Sequence, residues 1–286
     1  MKTYKIGAVE SICQMWGEDR FKKMKELGFS YVDFDMCNTE TAYYVGSQQE
    51  CDAALLKHKA HIEEAGIEIS QVHGPFRWPI YDGTVEERAE RMDKMKRSIR
   101  MTSMLNCKNW VIHPIMPHGW QERRTDPGHE EDTWNINLEF MDELLKTAKD
   151  YDVTICYENM PMVDFSIGSV QEVLKFVKEM NDDHFKICLD TGHASMYPGQ
   201  GLGDAVRLLG DEIRALHIHD NSGRFDNHWM PYFGIIDWED FGKALKEINF
   251  QGVFSLETHP PKTLPMNAYE KMCRALVETS EHILNK

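Results

Sequence analysis

Thr154-Ile155-Cys156-Tyr157-Glu158, Phe185-Lys186-Ile187-Cys188-Leu189-Asp190, Arg214-Ala215-Leu216-His217 and Val253-Phe254-Ser255-Leu256-Glu257 share one pattern: a short apolar β run ending on a carboxylate or an imidazole. Four such runs in succession point to one site assembled from many strands, which is what the C-terminal rim of a parallel barrel provides. Chance placement accounts for one strand end, not for four. Three carboxylates and an imidazole form a mixed O/N donor set suited to Mn2+, Mg2+, Co2+ or Zn2+. A charge closing an apolar run has to be paired or metal-bound, because desolvating it alone is prohibitive.

Working outward, the same short β-rich runs recur along the whole chain. Tyr4–Val9, Tyr31–Asp35, Glu68–His73 and Asn109–His113 are followed by Val153–Glu158, Phe185–Asp190, Ile213–His217 and Gly252–Glu257. Between them lie amphipathic stretches with helical spacing. Val170, Val173, Leu174 and Val177 form one stripe; Leu138, Met141, Leu144, Leu145 and Ala148 form another, and Met92, Met95 and Ile99 a third. Their plain reading is core packing against a sheet. Gly28, Gly66 and Gly252 stand at helix-to-strand returns, where a left-handed exit favours glycine. Eight strands alternating with eight helices fit an α/β fold of the (β/α)8 barrel type. An open doubly wound sheet would carry a Gly-rich first turn, and Glu10-Ser11-Ile12-Cys13-Gln14-Met15-Trp16-Gly17 is not one. With no linker or low-complexity stretch, residues 1–286 read as a single domain.

Composition narrows the function. Lys and Arg total 32 against 47 Asp and Glu, a formal charge of −15. Such a surface disfavours nonspecific attraction to phosphate backbones, although metals at a site would supply local positive charge. No apolar run is long enough to span a bilayer, and the first residues lack a secretory core. The seven cysteines include no Cys-x-x-Cys pair, and Cys156 and Cys188 lie in apolar runs that suit buried thiols. The chain reads as a reduced, cytoplasmic, soluble protein.

Local phrases around the strand ends add detail. Leu189-Asp190-Thr191-Gly192-His193 offers an imidazole beyond a glycine turn, and alternation in Leu216-His217-Ile218-His219 puts both histidines on one strand face. Trp16, Phe76, Trp78, Trp120, Trp229 and Phe233 fall where barrel loops would surround a ligand, though about half of such rings pack loops instead. His58 and His61 lie inside a helical stretch, and His129, His184 and His282 carry no signal. His118 and His259 each follow a strand end; His259 is the better candidate for lining a pocket.

Tyr157-Glu158-Asn159, Leu189-Asp190-Thr191-Gly192-His193, Leu216-His217-Ile218-His219-Asp220 and Leu256-Glu257-Thr258-His259 resemble the xylose-isomerase-like TIM-barrel superfamily over nearly the whole chain. That group includes sugar-phosphate isomerases and epimerases, ketose 3-epimerases, inosose dehydratases and endonuclease IV. The resemblance implies that Glu158, Asp190, His217 and Glu257 hold a divalent metal, with Mn2+ first and Zn2+, Co2+ or Mg2+ as alternatives. It also implies that Glu158 and Glu257 are the proton-transferring pair and that His193 contacts substrate. Arg224 resembles a substrate-binding arginine after the seventh strand of ketose epimerases; His219 stands where relatives often carry lysine. His73, His113, Trp16 and His259 are further substrate-binding candidates.

Gln71-Val72-His73-Gly74-Pro75, Val111-Ile112-His113-Pro114 and Asp226-Asn227-His228 extend the likeness toward endonuclease IV. There, residues matching His73, His113, His193, Asp226 and His228, together with the four core ligands, hold three zinc ions. A single metal with an auxiliary His/Asp ring is the favoured reading, and a multinuclear site the alternative. The expected function is a metal-dependent isomerase or epimerase that moves a proton next to the carbonyl of a keto-sugar through a metal-stabilised enediolate. A lyase or dehydratase acting on an inosose or 3-keto-glycoside would use the same residues. A zinc phosphodiesterase of the endonuclease IV kind is the other alternative. The partner is a small sugar rather than a nucleic acid or a membrane, and the likeness implies a homo-oligomer.

Overall fold

The computed structural model of the chain describes every residue except 1–3, 77–80, 83 and 120–126. Its strands are β1 (Ile6–Val9), β2 (Tyr31–Asp35), β3 (Glu68–His73), β4 (Asn109–Ile112), β5 (Thr154–Glu158), β6 (Phe185–Asp190), β7 (Ile213–His217) and β8 (Phe254–Leu256). They form one sheet in the order β7-β6-β5-β4-β3-β2-β1-β8. A parallel bridge between Ile218 and Leu256 joins the two ends of that order, with Ile218 N donating to Ser255 O at 2.9 Å and Glu257 N to Ile218 O at 3.0 Å. The described helices are α1 (Arg20–Leu27), α2 (Gln48–Glu64), α3 (Val85–Met104), α4 (Gly128–Asp150), α5 (Val170–Met180), α6 (Thr191–Ser195), α7 (Leu202–Leu209), α8 (Trp238–Glu247) and α9 (Met266–Leu284). Parallel strands with intervening helices make the fold a (β/α)8 barrel. All eight expected strands are present, but β4 and β8 stop one residue early, so His113 and Glu257 begin the loops.

The chain groups into two compact units. One comprises Met1–Phe34, His61–Ser70 and Leu189–Lys286; the other comprises Asp35–Ala60 and Gln71–Cys188. In the second, β4 pairs with β5 from Asn109↔Thr154 to Ile112↔Tyr157, and β5 pairs with β6 from Ile155↔Phe185 to Glu158↔Cys188. Its largest buried side chains keep their polar ends satisfied, as buried donors must. Trp110 Nε1 donates to Ser98 Oγ at 2.8 Å. Tyr157 OH donates to Asn137 Oδ1 at 2.8 Å. Asn137 also accepts from Ile115 N at 2.7 Å and donates to the Ile115 and Thr133 carbonyls at 2.8 Å each. Helix α5 starts at a capping box, Ser169 with Glu172, and ends at Asn181 in the left-handed region (φ 46°). It buries Val170, Val173, Phe176 and Val177. Phe176 takes the place expected of Leu174, which is half-buried. Burial of each such side chain contributes roughly 1.5–3 kcal/mol.

In the first unit, β1 pairs with β2 from Gly7↔Tyr31 to Val9↔Asp33 and with β8 from Ile6↔Phe254 to Ala8↔Leu256. Gly28 leaves α1 with φ 109°, as its position predicts. Gly252 departs from expectation: Asn249 (φ 54°) makes the left-handed turn after α8. Gly252 is required instead by close approach, since a Cβ there would overlap the Phe250 ring. None of the seven cysteines is in a disulfide, and Cys156 and Cys188 are buried as expected. Among the described residues no helix is long and apolar enough to cross a membrane.

Candidate metal centre

In the second unit the candidates gather around Glu158, 1% exposed at the end of β5. Two imidazoles meet its carboxylate: His113 Nε2 lies 3.3 Å from Oε2 and His73 Nε2 lies 3.6 Å from it. Register places these rings there, because Val72 pairs with Trp110 and His73 with Val111 across β3 and β4. The two rings stand edge to face, 4.9 Å apart, and Phe76 packs against His113 at 5.0 Å. Burial disfavours a charged His73 ring, yet Cys37 and Glu158 beside it outweigh that and hold its pKa well above the ordinary value.

In the first unit the ends of β6, β7 and β8 bring together the other candidates. Asp190 closes β6 and caps α6, Oδ1 accepting from His193 N at 2.7 Å. Its Oδ2 lies 3.0 Å from His219 Nε2. The expected glycine turn at Gly192 is a helical turn without a left-handed residue; a Cβ at Gly192 would overlap the His219 ring. His219 is fixed further by its backbone, since its N–H donates to Thr191 Oγ1 at 3.0 Å and Thr191 Oγ1 donates to its carbonyl at 2.7 Å. The ring stacks on His228 at 4.1 Å. Asp226 Oδ2 lies 3.3 Å from His193 Nε2 and 3.2 Å from His228 Nε2. His217 Nδ1 lies 3.5 Å from Glu257 Oε2, while its Nε2 lies 3.0 Å from Asp33 Oδ2. Ligand-capable atoms of Asp190, His193 and His219 lie within 4.8 Å of one another, as do those of His219, Asp226 and His228.

The electrostatics of this unit follow from carboxylates interleaved with imidazoles. Burial works against ionised Asp226, but His193 and His228 overcome it and hold its pKa far below the carboxylate range. Burial likewise works against charged His228, but Asp226 and then Glu257 push its pKa up to about 9. The buried carboxylates are matched by groups that a divalent cation can displace protons from. Oxygen and imidazole donors of this kind fit Mn2+, Zn2+, Co2+ or Mg2+.

Three further sequence candidates are described by contacts of their own. Arg224 is exposed, His259 Nδ1 is 2.8 Å from the Pro260 carbonyl, and Trp16 sits 6.0 Å from the Tyr269 ring. None of the three makes a described hydrogen bond or ion pair with the clustered groups. Trp229 and Phe233 are 41% and 63% exposed; Trp78 and Trp120 lie outside the described residues. His118 and His129 stack on each other at 4.2 Å. Asp33 was not among the sequence candidates: β2 carries two alternating carboxylates and ends on Asp35, so the strand-end pattern does not single out Asp33. His219 had only a substrate role in view, and its contact with Asp190 required the fold.

The chain belongs to the xylose isomerase-like TIM barrel family, whose model matches residues 21–278. It is 30% identical over 267 residues to the D-psicose 3-epimerase of Enterocloster bolteae, covering 92% of this chain and 84% of that one. An uncharacterized protein of Methanocaldococcus jannaschii is 28% identical over 192 residues, covering 65% of this chain and 63% of that one, so under two thirds of that relative's length is spanned. Among solved structures, a D-tagatose 3-epimerase-like protein superposes with a TM-score of 0.77 at 22% identity, covering 98% of each chain.

Proposed function

We propose that the protein is a divalent-metal-dependent sugar epimerase or isomerase acting beside the carbonyl of a keto-sugar. Glu158, Asp190, His217 and Glu257 would hold the metal, and Glu158 and Glu257 would move the proton. The observation that carries this reading is the chemistry of the strand ends. Glu158 faces His73 and His113, and Asp190 and Glu257 face His219 and His217. The D-psicose 3-epimerase relative supports the substrate class. A bound divalent metal supplies Lewis acidity, polarising the substrate's carbonyl and neighbouring hydroxyl.

The chain's own residues do the rest. One glutamate takes the proton from the carbon next to the carbonyl, and the C–H electron pair moves toward the carbonyl oxygen as an enediolate forms. The other glutamate returns a proton: to the opposite face of that carbon for epimerisation, or to the adjacent carbon for isomerisation. Glu158 ends β5 and Glu257 follows β8, strands that are not neighbours in the sheet order, which supports a two-base division. His193 and the Asp226–His228 pair form an auxiliary ring suited to substrate hydroxyls or to a further cation. The family model runs through 258 of the 286 residues, from 21 to 278, which supports reading the chain as a single domain.

Incubation with free and phosphorylated ketoses in D2O, with Mn2+ present, tests the reading. Deuterium enters the carbon beside the carbonyl of active substrates if it holds; turnover without exchange contradicts it. The lyase alternative is recognised in the same experiment by loss of water or a leaving group. Cleavage of abasic-site DNA would instead establish the phosphodiesterase alternative.

A further inference from the structure

Asp33 lies in β2, held by the Val9↔Asp33 pairing with β1, and is 2% exposed while Asp35 two residues on is exposed. Its Oδ2 is 3.0 Å from His217 Nε2. The other ring nitrogen, Nδ1, is the one that faces Glu257, at 3.5 Å. A neutral imidazole carries one proton and a carboxylate only accepts. A proton on Nε2 gives Asp33 a charge-assisted hydrogen bond and leaves the lone pair on Nδ1. The opposite tautomer would lose that 3.0 Å bond to a fully buried carboxylate and gain only the 3.5 Å approach of Nδ1 to the partly exposed Glu257.

We propose that Asp33 is a positioning residue that holds His217 in its Nε2–H tautomer and so makes Nδ1 the atom His217 offers to a divalent metal. The inference rests on the reading of His217 as a metal ligand and adds which atom binds and what orients it. A carboxylate behind a ligating imidazole fixes the ring and raises its basicity, and loss of such a partner typically weakens metal binding about 10–100-fold.

The test uses Asp33→Ala, Asp33→Asn and His217→Ala in the full chain. Mn2+ affinity is measured by competition with a chelator, and thermal midpoints are taken without metal. The His217 tautomer is read by 15N-correlated NMR of the wild-type protein loaded with diamagnetic Zn2+. The expected results are weakening of about 10–100-fold for Asp33→Ala, a smaller loss for Asp33→Asn, whose amide oxygen still accepts, and a proton on Nε2 in the loaded protein. Affinity of Asp33→Ala within twofold of wild type, or a proton on Nδ1 in the loaded protein, overturns the proposal. If His217→Ala abolishes binding while Asp33→Ala leaves it intact, only the positioning role fails. If His217→Ala also leaves binding intact, the metal reading of His217 fails with it. Should Asp33→Ala not fold, the wild-type tautomer and Asp33→Asn decide.

Discussion

The ends of β3, β4 and β5 and the ends of β6, β7 and β8 neutralise buried charge in different proportions. The first region sets one carboxylate, Glu158, against two imidazoles, His73 and His113. The second interleaves Asp190, Asp226 and Glu257 with His193, His217, His219 and His228, and adds Asp33 behind His217. A lone carboxylate between two rings is neutralised by a single proton. Of the four carboxylates in the second region, Asp33 and Asp190 are fully buried while Glu257 and Asp226 are partly exposed, so the need for compensating protons or a cation is heaviest at Asp33 and Asp190. The second region is therefore where the demand for a cation is greatest.

Glu158→Gln and Glu257→Gln challenge that division most strongly. Each keeps the side-chain size but removes the base, and kcat on an active ketose should fall by at least about 10²–10⁴-fold. Single-turnover deuterium exchange would show which substrate face each glutamate serves. Next in size is Asn137→Ala, which strips the partners from Ile115 N and Tyr157 OH in the second unit. It should cost about 2–4 kcal/mol in urea unfolding, with metal affinity per folded molecule unchanged. Gly192→Ala reverses that pattern. A Cβ driven into the His219 ring should cost about 1–3 kcal/mol and also weaken metal binding, because His219 orients Asp190. The smallest effect belongs to Arg207→Ala, which removes exposed ion pairs with Asp240 and Glu247. Its thermal midpoint should move less than that of Asn137→Ala, with no change in affinity.

The contrast between the regions also explains what was legible in the sequence. Glu158, Asp190, His217 and Glu257 stand out in the sequence because each closes a short apolar run. The ring formed by His193, Asp226 and His228 followed from resemblance, since loop geometry rather than periodicity assembles it. Asp33 escaped because Tyr31-Val32-Asp33-Phe34-Asp35 ends on two alternating carboxylates, and only the fold distinguishes the buried one from the exposed one. Gly192 and Gly252 look like turn glycines but serve close approach, which depends on His219 and Phe250 folding back onto them. Arg224 and His259 follow strand ends in sequence, yet one is exposed and the other is hydrogen-bonded to the neighbouring carbonyl.

The proposed function requires Glu158 to serve the same metal as Asp190, His217 and Glu257. Equilibrium binding of Mn2+ to the wild-type protein, Glu158→Ala and Asp190→Ala tests it directly. Either substitution alone should remove the same tight site, leaving at most weak binding. A full tight site retained in Glu158→Ala, with loss only in Asp190→Ala, would contradict it.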